Sequence, residues 1–305
     1  MTMERPVCVV GGSGQIGGWL IQQFTAGGHP VISTYHQHPL SDALPLDATD
    51  AGQVHALMAR LKPSVIINSL NAKGGTDACE MDPALAQRAH FETAQHLANA
   101  AREVNAKFVQ ISTDYVFDGS SGPYREDDVP APLSRLGRAK LEAEQYIRAQ
   151  SPEALIIRTS FVFSWTPGSA TKNFVMQLLD NERAGTVMPV PVDQVGNVTY
   201  APNFAQALVE LVERKAAGIF HVAGTTRCSK YEWALKVAEY FGLRRELIRG
   251  VSTATLGQAG PRPLQSGFHL QKAQAVLKTT PLLSLEESLI AMATHMQAGE
   301  PVTHG

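Results

Sequence analysis

The run Val7-Cys8-Val9-Val10-Gly11-Gly12-Ser13-Gly14-Gln15-Ile16-Gly17 constrains this chain more than any other stretch. A short β-branched run leads into glycines, and an amphipathic segment over residues 18–24 follows. Strand, tight turn and helix start in that order suit a dinucleotide-binding unit. Gly11 can take a backbone conformation closed to other residues. Gly14 lets the main chain approach a pyrophosphate, and Gly17 lets the helix pack closely on the strand. The helix N-terminus offers free N–H groups and a partial positive charge. Gly11, Ser13, Gly14, Gln15, Ile16 and Gly17 therefore form a candidate phosphate cradle.

Residues 31–35 read as a second strand, and 65–68 as a third, fully apolar one of the kind a sheet covered on both faces requires. Residues 108–112 read as a fourth and 155–160 as another buried strand. Helical patterns lie between them. Asp50 with Gln53 resembles a capping box opening a helix over 54–61. A long helix is expected over 83–104, with Leu85, Ala89, Ala94, Leu97, Ala98 and Ala101 inward. A helix over 134–149 sets Leu136 and Lys140 on one face. After Phe163 the pattern breaks into helices near 173–181, 203–214, 229–241 and 285–296, with loop and short strands over 190–200. Ser229 with Glu232 and Ser284 with Glu287 make capping boxes for the last two helices, and residues 299–305 read as a loose tail. The expected fold is α/β, a doubly wound parallel sheet with a smaller C-terminal substrate-binding part. Residues 1–165 make the dinucleotide-binding domain and 166–305 mainly the substrate-binding part. Residues 218–223 return a strand to the main sheet.

An acidic residue about 20 residues past the glycines usually binds the ribose hydroxyls of NAD. Here the segment is Tyr35-His36-Gln37-His38. The missing acid favours NADP over NAD, with His36 or His38 near the extra phosphate, although both histidines also read as solvated loop residues. No ligand cluster accompanies them, so no metal is expected. Asp47 is placed to meet an adenine amino group, while Asn71 to Gly75 and Thr113-Asp114-Tyr115 stand at strand ends, where α/β ligands bind.

A formal charge of −2 gives no electrostatic case for nucleic acid or an anionic membrane. No apolar run reaches the ~20 residues a membrane span needs, and no signal peptide is expected ahead of the glycine turn. Cys8, Cys79 and Cys228 are isolated, which suits a reducing cytoplasm. The expected partner is a small-molecule substrate.

With these segments placed, the chain resembles the extended short-chain dehydrogenase/reductases, which carry a Rossmann sheet. Within them it is most similar to the dTDP-4-dehydrorhamnose reductase family, which also includes the regulatory β subunit of methionine adenosyltransferase. The carriers are the glycine run, Leu46-Asp47-Ala48-Thr49-Asp50, Asp77-Ala78-Cys79-Glu80 and, above all, Ser112-Thr113-Asp114-Tyr115-Val116-Phe117-Asp118-Gly119. Later come Arg158-Thr159-Ser160, Asp193-Gln194-Val195-Gly196 with Thr199, and Arg262-Pro263 before Lys272. The resemblance implies reduction of a nucleotide-linked keto sugar by NADP(H) or NAD(H), with homodimerisation common among relatives. Thr113 falls on the Ser/Thr position that orients the carbonyl, and Lys140 on the lysine position that holds the nicotinamide ribose. The tyrosine position, four residues before Lys140, is Leu136. A leucine donates no proton. Ala89-His90 stands where the family has Val-Asn, and Val198 where proline is usual.

Three function classes remain open on these residues. One is an NAD(P)H-dependent reductase whose proton comes from His90 or Tyr115. Another is a catalytically silent nucleotide-binding regulatory subunit. The third is a non-redox enzyme on the same fold. Loops 71–76 and 163–171 are expected to shape specificity, and Lys73 and Lys172 are the cations set to meet a phosphate or carboxylate, unless both are solvated surface lysines.

Overall fold

The computed structural model describes residues 3–166 and 172–299. Its main sheet is built from β1 (Val7–Val10), β2 (Val31–Tyr35), β3 (Ala43–Pro45), β4 (Val65–Asn68), β5 (Lys107–Thr113) and β6 (Leu155–Thr159). Shorter strands follow: β7 (Val162–Phe163), β8 (Met188–Pro191), β9 (Val195–Asn197), β10 (Thr199–Tyr200), β11 (Gly218–His221), β12 (Arg227–Ser229) and β13 (Ile248–Val251). Of these, β11 completes a seven-stranded sheet in the order β11-β6-β5-β4-β1-β2-β3. Every pairing in it is parallel. β1 lies between β2 and β4, so the chain reverses direction across the sheet there and opens a crevice at the strands' carboxyl ends.

Both faces of this sheet are covered, which is why β1, β4 and β6 are buried at every position. Val7, Val9, Val65, Ile67 and Val109 pack on one side with α1 (Gln15–Ala26) and α8 (Ala201–Glu213). Cys8, Val10, Ile66 and Phe108 pack on the other, with α2 (Ala51–Leu61), α5 (Thr93–Glu103) and α6 (Arg135–Gln150). The alternation follows from the two-residue period of a strand. A separate core joins α7 (Phe174–Ala184), α9 (Lys230–Phe241) and α11 (Leu285–Ala298) around Trp233, Val190 and Leu289. Short helices α3 (Gly75–Met81), α4 (Pro83–Ala86) and α10 (Gln271–Val276) complete the chain. The three remaining strand pairs, β7 with β10, β9 with β12 and β8 with β13, belong to this outer part.

Two local features differ from the sequence reading. The helix expected over 83–104 is interrupted by a π-helical turn at Gln87–Glu92, between α4 and α5. The Thr93 hydroxyl donates to the Ala89 carbonyl at 2.9 Å within that widened turn. A single wide turn leaves apolar periodicity almost unchanged, so it is invisible in composition. The edge strand β3 also has no apolar pattern of its own and exists only through its pairing with β2. The capping boxes at Ser229 and Ser284 are formed as expected. At Asp50 the carboxylate caps Gly52 and Gln53, while the Gln53 side chain accepts from the Asp47 N–H at 3.3 Å instead of closing the box.

Candidate active site

The glycine turn is shaped by one close approach. Gly11 has φ +88°, and a Cβ on Gly17 would lie 2.2 Å from the Gly11 carbonyl oxygen. No side chain caps α1 at Gly14. Among the described residues, the N–H groups of Ser13, Gln15 and Ile16 have no protein acceptor. Three unengaged donors at a helix N-terminus fit the pyrophosphate of a dinucleotide. The Gln15 amide also reaches the Ser164 hydroxyl at 3.1 Å. Beyond β2 and β3, His36 Nε2 lies 3.8 Å from Asp47 Oδ2. The Asp47 carboxylate is held below its usual range mainly by the Thr49 hydroxyl, which donates to Oδ1 at 2.7 Å. His36 and Asp47 thus share one edge of the crevice, and Asp47 is already partly engaged. His38 is exposed beside them.

Thr113 ends β5 half-buried. Its hydroxyl donates to Asp114 Oδ1 at 3.2 Å and accepts from the Tyr115 N–H at 3.3 Å. Lys140 is buried on α6, and its Nζ donates to the Ile111 carbonyl at 3.1 Å and the Leu70 carbonyl at 3.5 Å. Burial brings the Lys140 ammonium down to about 8, against the opposing charge of Glu144. One turn earlier, Leu136 is enclosed with Ala72, Cys79, Ala86 and Ala139, and Tyr115 packs against the same cluster. Gly137 makes this possible, since a Cβ there would lie 2.1 Å from the Tyr115 carbonyl oxygen.

His90 and Tyr115 are placed differently. His90 sits in the π turn, 1% exposed, with Nε2 3.8 Å from Cys79 Sγ and Nδ1 without a partner. Burial, reinforced by the charge of Lys140, holds it well below the ordinary imidazole range, so it is neutral at pH 7. Tyr115 is only half-buried and lies among Thr76, Asp77, Asp114 and Arg262. Burial, then the neighbouring Asp114, pushes its phenol up to about 12. Asp114 itself is driven up to about 6 by burial.

The opposite wall was not legible in the sequence. Arg262 pairs with Asp77 at 2.9 Å, and the Gly260 N–H donates to the same carboxylate at 3.0 Å. Lys230, in the first turn of α9, hangs its Nζ 5.3 Å from the centre of the Phe161 ring. Asp77 and Arg262 carried the resemblance, but nothing local shows that they meet. Lys230 is masked by the capping residue Ser229 beside it. The lysines singled out from the sequence lie elsewhere: Lys172 pairs with Asp180 at 2.7 Å, and Lys73 is exposed. Residues 167–171 of the expected specificity loop, and 300–305 of the expected tail, lie outside the described residues. Among the described residues no three His, Cys, Asp or Glu side chains converge as a metal site, and no helix is long and apolar enough to cross a membrane.

Comparison with known proteins agrees with this geometry. Residues 5–298 match the model of the RmlD substrate binding domain. The chain is 30% identical over 289 residues to the probable low-salt glycan biosynthesis reductase Agl14 of Haloferax volcanii, covering 93% of this chain and 96% of that protein. It is 30% identical over 285 residues to a dTDP-4-dehydrorhamnose reductase of Aggregatibacter actinomycetemcomitans, covering 90% and 93%. The crystal structure of dTDP-4-dehydrorhamnose reductase from Bacillus anthracis in complex with NADP superimposes with a TM-score of 0.86 at 27% identity, over 96% of this chain and all of that one (100%). The model match over residues 5–298 and the 30% identity to relatives along nearly their whole length make this chain a member of the RmlD substrate binding domain family, the family of the dTDP-4-dehydrorhamnose reductases.

Proposed function

We propose that this protein is an NAD(P)-dependent oxidoreductase acting on the carbonyl of a nucleotide-linked sugar, with Tyr115 rather than position 136 supplying the proton. The observation that supports this most is the convergence of open cradle donors, Thr113 and Lys140 around one crevice at the carboxyl ends of β1, β4 and β5. When bound, the nicotinamide supplies the hydride. The cradle N–H groups bind the pyrophosphate, and the Lys140 ammonium, braced by two carbonyls, orients the ribose. The Thr113 hydroxyl orients the substrate oxygen. Tyr115 keeps its proton at neutral pH and gives it up only to a stronger base, which the alkoxide formed on hydride arrival is. His90 is the weaker candidate because it is neutral and faces Cys79. NADP is favoured over NAD by His36 and by the absence of an acid in the segment Tyr35 to His38 at the end of β2.

A second reading has its own support. Leu136 is 6% exposed and fills with hydrocarbon the spot where the resemblance expects an acid. That favours a silent nucleotide-binding subunit. Calorimetric titration with NADPH and NADH, followed by turnover of dTDP-4-dehydrorhamnose, separates the two. Tight NADPH binding with turnover that falls more than about tenfold in Tyr115→Phe is expected for loss of a general acid. Binding without any turnover favours the silent subunit. No binding of either nucleotide at millimolar concentration sinks both.

A further inference from the structure

We propose that Lys230, carried over the ring of Phe161 and facing the Asp77–Arg262 pair, is the contact for an anionic group of the substrate, a phosphoryl or a carboxylate. The inference rests on the reading of this crevice as the substrate site and adds the chemical class of what enters it.

Three observations carry it. The Lys230 side chain makes no hydrogen bond and no ion pair among the described residues, although the residue is partly buried. An ammonium withdrawn from water and left with three unengaged donors is costly unless something else meets it. Phe161 is the second feature. It directly follows Ser160 after β6, at the crevice, and has φ +44°. A bulky aromatic in the left-handed region is strained and persists only where its surroundings hold it. Here Trp233 stacks on it at 5.9 Å, and Gly196 leaves just enough room for its edge, since a Cβ there would lie 3.1 Å from the ring. The strained backbone therefore fixes a flat surface beneath the lysine. Third, Arg262 is already committed to protein partners: Asp77 takes one side of its guanidinium and the Gly260 carbonyl another. Lys230 is thus the cation of this wall left to bind a ligand.

The charged groups facing Lys230 are Arg262, Asp114 and Asp77. Burial, then Arg262, brings its ammonium down to about 8, with Asp114 and Asp77 opposing. The protonated form prevails below that pH and is lost above it. Affinity for an anion should therefore fall as pH rises past about 8, and Lys230→Arg should remove that fall.

The test is calorimetry at pH 7 with UDP-glucose, UDP-glucuronate and inorganic pyrophosphate on wild type, Lys230→Gln and Lys230→Arg, with NADPH titrated in parallel. A loss of at least about tenfold in Lys230→Gln, kept small in Lys230→Arg, is expected for a charge-assisted contact. If both UDP-sugars and pyrophosphate weaken alike, the group is phosphoryl. If UDP-glucuronate alone weakens, it is a carboxylate on the sugar. Wild type that binds none of the three overturns the proposal, as does Lys230→Gln binding all three like wild type. Equal losses in both variants also overturn it, since they mark a packing effect. Failure to bind NADPH strikes the oxidoreductase reading separately and leaves the Lys230 result to stand on its own.

Discussion

Leu136 and Tyr115 compete for one role at the scale of single residues. Both border the same apolar cluster, and Lys140 lies one turn beyond Leu136. A phenol introduced by Leu136→Tyr would enter beside the Lys140 ammonium, whose charge would lower its pKa toward the useful range. If the catalytic frame is otherwise intact, turnover of dTDP-4-dehydrorhamnose rises at least about tenfold in this variant. Steady-state kinetics with NADPH check it, and an unchanged rate means that more than the acid is missing. The sequence was informative here because each of these positions sits in a local motif. It could not show that His90 turns inward against Cys79, because the π turn that does this leaves no periodic trace.

Elements hold the site together through backbone contacts that only small residues allow. The first turn of α6 rests on the Tyr115 carbonyl at Gly137, and the Ser134 hydroxyl caps the Gly137 N–H at 3.1 Å. Gly137→Ala would force backbone atoms apart, with no flexible side chain to yield. The expected cost is about 1–3 kcal/mol, the usual size for overpacking. Because α6 carries Lys140, NADPH affinity should fall with it. Thermal unfolding and NADPH titration measure the two effects together, and a variant as stable as wild type would show that α6 docks by other means. The strands and long helices of this layer were legible because burial on both faces writes continuous apolar runs, and amphipathic faces write the helical period. β3 and the π turn were not, since pairing and one widened turn are not local properties.

The whole molecule is tied by contacts far apart in the chain. The side chain of Glu210, on α8, accepts from the N–H groups of Lys278, Thr279 and Thr280, the Thr279 hydroxyl and the Arg214 guanidinium. Burial alone would raise its pKa. The Lys278 N–H and the other donors outweigh that and hold it far below the usual carboxylate range. A depressed carboxylate stabilises the fold above its unfolded pKa, about 4.3, and that contribution is lost as the pH falls. Glu210→Gln should therefore cost roughly 1.5–3 kcal/mol at pH 7, and the gap to wild type should narrow below about pH 4. Urea unfolding at both pH values checks it, and a gap that persists at low pH would show that the charge is not what matters. By itself the sequence determined the parallel sheet, the glycine turn and the family, because strand, turn and helix preferences are set by neighbours a few residues apart. Only the tertiary structure decided that Asp77 meets Arg262, that the Lys230 side chain stands over Phe161 without an ion pair among the described residues, and that His90 lies against Cys79 while Tyr115 sits among Thr76, Asp77 and Arg262. Those are contacts between segments distant in the chain, and packing, not local preference, brings them together.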